Sequence, residues 1–239
     1  MRLLISNLRA SIICFLIISF CACNAIGERG NGNVVTKTRA TENFNGIKVS
    51  TGIMLVVKQA NETKVEVTTD ENLQDKIHTE VHNGILEVFA KGSIINPKIL
   101  KVSVTTPNLN RLESSSGSHA ETNGIIKTDD IEIHASSGSR LIAAIEAKSV
   151  RCSTSSGSNM KLEGKTDNLD VKSSSGSNLN ASGLESLKCI ANSSSGSNCT
   201  VNVKEDFNGN ASSGSNISYK GNPKKIESHK SSGGDINRK

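Results

Sequence analysis

The sequence predicts an all-β protein: a single-stranded, right-handed parallel β-helix (β-solenoid) with about 19–20 residues per coil and a β-hairpin inserted in its N-terminal half. Three observations carry this. Ser-Ser-Gly-Ser recurs through the second half, with glycines at Gly117, Gly138, Gly157, Gly176, Gly196, Gly214 and, in a degenerate last copy, Gly233. The intervals of 21, 19, 19, 20, 18 and 19 residues are those of a repeat architecture. Apolar residues alternate with polar ones in fixed register on both sides of each motif, which is strand spacing with one face buried. Finally, the chain has no Trp, one Tyr and five Phe, against 35 serines in 239 residues. Those numbers suit a narrow core of small aliphatics with hydroxyls at the corners, and they leave aromatic-lined sites poorly supplied.

Taken in order, residues 1–22 read as a lipoprotein signal peptide. Arg2 and Arg9 precede the short apolar stretch from Ser11 to Phe20, which is too short to span a membrane. Cys23 follows the small residue Ala22 and is the predicted site of lipidation; Cys21 follows the bulkier Phe20. An ordinary secreted protein cut nearby is the alternative. Residues 23–33 then form the lipid anchor and, over Arg29 to Asn33, a polar tether expected to be flexible. Residues 34–239 are one solenoid domain, with no linker between its halves.

The solenoid begins near Phe44. Ile47 lies five residues before Gly52, and Leu55 and Val57 lie three and five after it. Val65 and Val67 mark another strand, and Asp70 to Asp75 a single helical turn or loop. Lys76 to Ala90 reads as a hairpin about Asn83-Gly84, the favoured two-residue turn. That turn sets Val81 opposite Leu86 and Thr79 opposite Val88. Leu100, Val102 and Val104 form a strand ended by Pro107. From about residue 111 the repeats take over. Three residues after the corner glycine stand Ala120, Leu141, Met160, Leu179, Cys199 and Ile217. Seven and five before it stand pairs such as Ile131/Ile133, Val150/Cys152 and Leu169/Val171. All these are predicted to point inward, with two short strands per coil and a second corner near Gly164 and Gly183. Stacked coils place equivalent residues about 4.8 Å apart.

The chemistry-bearing motifs are few. His78-Thr79-Glu80-Val81-His82 lies on a strand, where two histidines four residues apart are about 13 Å apart and cannot share a zinc. Ser158 and Lys161 match a Ser-x-x-Lys pattern but face opposite ways on a strand. Glu132, Arg151 and Asp170, six before successive glycines, alternate in sign as a surface charge ladder rather than clustering as an acid–base pair. Cys152, Cys189 and Cys199 fall on inward positions and read as buried thiols. No metal or cofactor is expected. Formal charge is +5, about +3 once Arg2 and Arg9 are removed, which does not point to nucleic acid. Surface is left: two residues after the glycines, Asn159, Asn178, Asn198 and Asn216 form an outward row that could hydrogen-bond a ligand.

Phe44-Asn45-Gly46-Ile47-Lys48-Val49, the stretch Gly52 to Val57, Thr69 to Leu73, Val81 to Val88 and the Ser-Gly-Ser repeats together resemble the family described as putative auto-transporter adhesin, head GIN domain. The resemblance implies an exported, often lipid-anchored β-solenoid and brings no catalytic residues with it. The expectation is therefore a non-catalytic binding or adhesion module on a cell-envelope lipoprotein of the outer membrane, facing the periplasm or the outside. Its membrane contact would be the N-terminal lipid, and its ligand a glycan or an envelope or host protein. A structural or signalling-associated protein that binds another protein, or a polysaccharide-cleaving enzyme, are the alternatives.

Overall fold

Each Ser-Ser-Gly-Ser corner is a tight turn with two left-handed residues. In the computed structural model, which describes residues 27–239, the serine just before the glycine has positive φ at every corner, from Ser116 (51°) to Ser232 (47°), and the glycine follows at 66–75°. Two successive positive φ values define a type I′ turn, closed for example by Ser118 N–H donating to Ser115 C=O at 3.1 Å. Thr51-Gly52 repeats it with φ of 60° and 73°. Glycine adopts this conformation readily; here the serine beside it shares it. The corners also bridge coils. Gly157 N–H donates to Ser175 C=O of the next coil at 3.1 Å, and every corner glycine from Gly52 to Gly214 makes the equivalent bond.

The strands, in chain order, are β1 (Glu28–Arg29), β2 (Val34–Arg39), β3 (Gly46–Val49), β4 (Met54–Gln59), β5 (Lys64–Asp70), β6 (Ile77–His82), β7 (Ile85–Ala90), β8 (Ile94–Ile95), β9 (Leu100–Thr106), β10 (Arg111–Ser114), β11 (His119–Ala135), β12 (Arg140–Thr154), β13 (Asn159–Ser173), β14 (Asn178–Ser193), β15 (Asn198–Ala211), β16 (Asn216–Lys220), β17 (Lys225–Lys230) and β18 (Asp235–Arg238). A 3₁₀ turn, Glu71–Lys76, separates β5 from β6. The molecule is an all-β solenoid of about 7 turns. Among the described residues no helix is long and apolar enough to cross a membrane.

From β11 to β15 each coil is one long strand that bends, not two strands with a second turn. The ladder runs through the bend with local register shifts, between Glu121 and Ile125, Lys161 and Glu163, Ala181 and Glu185, and Ser186 and Lys188. These bulges absorb all the variation in coil length, so the rows flanking the corners stay in strict register. The inward rows are buried: Ala120, Leu141, Met160, Leu179, Cys199 and Ile217 form one ladder, and Ile131, Val150, Leu169, Cys189 and Phe207 another. Gly164 sits in the bend at φ 118°, where a Cβ would lie 2.0 Å from the Ile145 carbonyl oxygen. Only glycine lets the two coils approach there.

Beside the corners the core is lined with hydroxyls. The serine after each glycine is buried, from Ser118 through Ser139, Ser158, Ser177 and Ser197 to Ser215. Each of Ser139, Ser158 and Ser215 donates to a carbonyl of the preceding coil, at 2.7 Å to Ser114, 2.8 Å to Ala135 and 2.7 Å to Ser193 respectively. Thr154, Ser173 and Ser177 close a triangle of buried hydroxyls at 3.0–3.2 Å. Thus the serine-rich composition is interior structure as well as surface.

In the N-terminal half, chain order and stacking order part company. Strand β3 lies between β7 and β10, and β4 between β9 and β11. The segment from β5 to β9 therefore folds to the far side of the first coil. There β5 runs antiparallel to β9 and β2, and β6 antiparallel to β7. Alternating Val65 and Val67 predicted a strand but could not predict its direction, since both directions bury every second residue. The hairpin has the predicted register, with Val81 opposite Leu86 and Thr79 opposite Val88. Asp70 and Gln74 close this cap. Gln74 Nε2 donates to Val35 C=O (2.9 Å) and Val67 C=O (3.1 Å), and Arg39 Nη2 donates to Gln74 Oε1 at 2.9 Å.

The polar stretch Arg29 to Asn33, expected to be flexible, is docked. β1 pairs with β8, Gly32 N–H donates to Asp70 Oδ1 at 2.6 Å, and Asn33 Nδ2 donates to Glu71 Oε2 at 2.7 Å. Lys98 N–H reaches Asp70 Oδ2 at 2.7 Å. Burial alone would raise the Asp70 carboxyl, but these backbone donors outweigh it and hold it below its ordinary value.

Candidate functional site

Strict register at the corners also aligns the residues beyond each turn. Asn159 pairs with Asn178, Asn178 with Asn198, and Asn198 with Asn216. All four are exposed, so the row read from the sequence exists as a straight line of amides along the solenoid axis. It continues into Arg140 at one end and Asp235 at the other.

On the other side of the corner lies a groove that the sequence pattern did not single out. Ser155, Ser174, Ser194, Lys172, Asn192 and Asn210 line a cleft of about 410 Å³. Asn210 Nδ2 donates to Asn192 Oδ1 at 3.1 Å and to Asn208 Oδ1 at 3.3 Å, an amide ladder along the axis. The signal was present, because these residues recur two and four before the glycine. Whether neighbouring side chains leave a cleft between them depends on their lengths in adjacent coils, which a repeat alignment does not reveal.

The remaining motifs resolve as surface or core. Glu80 lies between two histidines, 3.2 Å from His78 Nδ1 and 3.4 Å from His82 Nε2, and the His82 hydrogen bond leads in lowering its pKa. Among the described residues no group of three or more His, Cys, Asp or Glu is placed to hold a metal. Ser158 is buried and Lys161 exposed, so they cannot act together. Glu132 is held between Arg151 Nε at 3.2 Å and Arg111 Nη1 at 3.4 Å, as a charge ladder would have it; Asp170 takes no part. Cys152, Cys189 and Cys199 are free and buried. Burial pushes the Cys199 thiol up to about 12 and the other two well above the ordinary range. Tyr219 is partly buried and stacks on Phe207 at 4.6 Å, so it offers no aromatic platform. Cys23 lies outside the described residues.

Fold and surface together define a β-solenoid with regular polar faces. The chain belongs to the family described as "Putative auto-transporter adhesin, head GIN domain", which matches residues 43–223. Solved structures share the fold. A putative adhesin from Bacteroides fragilis is 20% identical, with a TM-score of 0.84 over 89% of this chain and 100% of that one. A putative lipid binding protein from Parabacteroides distasonis is 21% identical, with a TM-score of 0.75 over 89% and 99%. A putative adhesin from Parabacteroides merdae is 18% identical, with a TM-score of 0.72 over 89% and 99%. No curated protein matches the chain.

Proposed function

We propose that the protein is a lipid-anchored, non-catalytic binding module of the cell envelope. It is held at the outer membrane through Cys23 and offers its asparagine row to a polar ligand, a glycan or the polar surface of an envelope or host protein. The observation that carries this is the row itself: Asn159, Asn178, Asn198 and Asn216 in direct register, exposed, on a backbone fixed by ladders on both sides. An amide offers both donor and acceptor, and a rigid array loses little entropy on binding. The adjoining cleft of hydroxyls and amides widens the polar surface. Family membership supports an exported protein with a binding role.

The docking of Arg29 to Asn33 shortens the tether. Only the residues between Cys23 and Gly27 separate the lipid from the fold, about 14 Å at full extension. The antiparallel cap then lies near the membrane and the repeats point away from it. The polysaccharide-cleaving alternative has less support. Glu132 pairs with two arginines, and one of them, Arg151, stands between it and Asp170, the other carboxylate of the same cleft, where the acid–base pair of a glycosidase would leave room for substrate.

Two measurements test the proposal. Asn178→Trp and Asn198→Trp, singly and together, should abolish binding on glycan and envelope-protein panels while leaving the far-UV spectrum unchanged; undiminished binding places the site elsewhere. Protease shaving of intact cells decides orientation. Cleavage with periplasmic controls intact puts the module outside, and protection removes adhesion to external partners from the proposal.

A further inference from the structure

A second, chemically different site lies on the sheet face formed by the later part of each coil. Its outward row reads Arg111, Glu132, Arg151, Asp170, Ile190 and Asn208 in direct register. Ile190 is the apolar member of a row otherwise charged or amide, and it is 51% exposed. Beside it, Asp170 Oδ1 is buried without a hydrogen-bond partner. Its neighbour in the preceding coil, Arg151, is engaged by Glu132 at 3.2 Å. A cleft of about 300 Å³ opens between this row and the next, where Lys188 lies 3.8 Å from Asp206 and Lys225 lies 2.9 Å from Glu227. A smaller cleft of about 180 Å³ adjoins Asp170 on its other side.

The charges across the cleft are thus matched within the chain, while the Asp170 carboxylate at its edge is not. A buried acceptor without a donor carries an unrecovered desolvation cost, and an incoming donor recovers it. The donor must lie along Ile190, the next residue of the row, and meet the carboxylate as it turns into the cleft that both residues line, which calls for an aliphatic stem ending in a cation. A compact ammonium on four methylenes meets this better than the broad guanidinium fork. An apolar centre inside a charged, paired rim, continued by clefts along the same face, is the anatomy of a protein–protein interface rather than of an enclosed small-molecule pocket.

We propose that this cleft receives a lysine side chain of a partner polypeptide, its methylenes on Ile190 and its ammonium donating to Asp170. The site does not depend on the asparagine row, which lies across the corner.

Backbone amide NMR of the soluble solenoid tests it, with four probes at tens of millimolar: N-acetyl-lysine N-methylamide, its norleucine and arginine counterparts, and pentane-1,5-diamine. The lysine probe should shift amides around Asp170, Ile190 and Asn208. Asp170→Asn should weaken it about tenfold or more, as expected for loss of a charged hydrogen bond, and Ile190→Ser about fivefold. Both changes are compatible with folding, since Ile190 is half exposed and Asp170 is partly exposed with no hydrogen-bond partner for its buried oxygen. Asn178→Trp should leave the shifts intact, which separates this site from the asparagine row. No shift at these amides, equal binding of the norleucine probe, or indifference to Asp170→Asn would overturn the site. Stronger binding of the diamine would overturn the polypeptide source, and stronger binding of the arginine probe the choice of lysine.

Discussion

The two rows of buried hydroxyls beside the corners make a quantitative prediction, because one is tied to the backbone by short bonds and the other bonds chiefly to neighbouring hydroxyls, reaching backbone carbonyls only at 3.4–3.5 Å. Ser158 Oγ donates to Ala135 C=O at 2.8 Å and accepts from Ser155 N–H at 3.3 Å. Ser155 N–H also donates to Ala135 C=O at 3.0 Å, so Ser158→Ala leaves both backbone groups paired. The cost is then the net worth of the lost hydroxyl bonds, about 1 kcal/mol, and not the larger penalty of an orphaned group. Ser139 and Ser215 are placed identically. Ser158 and Ser215 are three coils apart, so the double Ser→Ala variant should lose about 2 kcal/mol, since separated sites add, a large part of a typical domain's stability. Ser173 stands on the other row, where Ala135 and Ala211 are also buried. Ser173→Ala takes the acceptor from the Thr154 hydroxyl, which can turn to Ser177 Oγ at 3.0 Å while Ser177 donates to Ser174 C=O at 2.7 Å, so it should cost no more than about 0.5 kcal/mol. Urea unfolding followed by far-UV circular dichroism gives the comparison. Amide exchange at each corner gives it coil by coil, which matters because repeat arrays need not unfold as one unit. Equal losses for Ser158→Ala and Ser173→Ala would refute the distinction between the rows.

Three further outcomes rest on the same geometry. Gly164→Ala places a Cβ 2.0 Å from Ile145 O at φ 118° and should cost about 3 kcal/mol or more, whereas Gly157→Ala, with nothing within 4 Å, should cost about 1 kcal/mol; thermal melts of the pair decide it. In native protein at pH 8, Cys152, Cys189 and Cys199 should resist thiol reagents, the thiolate of Cys199 being on the order of 10⁻⁴ populated, and all three should react under denaturing, non-reducing conditions; a protected pair would break the assigned register. Asp70→Asn should speed exchange of the Gly32 and Lys98 amides about tenfold. Since the folded Asp70 pKa is lowered, its contribution is complete above its ordinary value of 3.8 and is lost as pH falls through the folded value, so wild-type protection of these amides, taken relative to the intrinsic exchange rate at each pH, should fall only in acid.

Much of this molecule was legible because its signals are local or periodic. The corner glycines fixed the phase, and the phase alone assigned Leu141, Val150 and Leu169 to the core. Asn83-Gly84 set the hairpin register without any tertiary information. What stayed hidden depends on encounters between distant segments. Nothing in Val65 or Val67 tells whether that strand pairs with β4 or passes it to pair antiparallel with β9 and β2. The stretch Arg29 to Asn33 has the composition of a linker, yet its amides find Asp70 and Asn72 some forty residues away. The asparagine row was visible as a row; the clefts beside Asp170 and Ser174 were not, since they arise from unequal side-chain lengths in stacked coils.

The two ends of the stack bear on which surfaces can bind. A solenoid ending in an open coil presents a template for another strand. In the last coil, Lys230 occupies the rung held by Ser, Ala or Thr in earlier coils and pairs with Asp235 at 2.8 Å. Gly234 takes the place of the buried serine, since a Cβ there would lie 2.3 Å from the Ala211 backbone. Ile226 continues the Cys189–Phe207 ladder but is 50% exposed. A further coil stacked here would have to bury the Lys230 charge. The opposite end closes differently, with antiparallel strands and the Arg39–Gln74 plug. At the C-terminal end, then, continuing the ladder carries a desolvation penalty. The long faces, by contrast, carry exposed amides, a hydroxyl groove and an unmatched carboxylate in register over several coils, and recognition by this fold is most economically placed there.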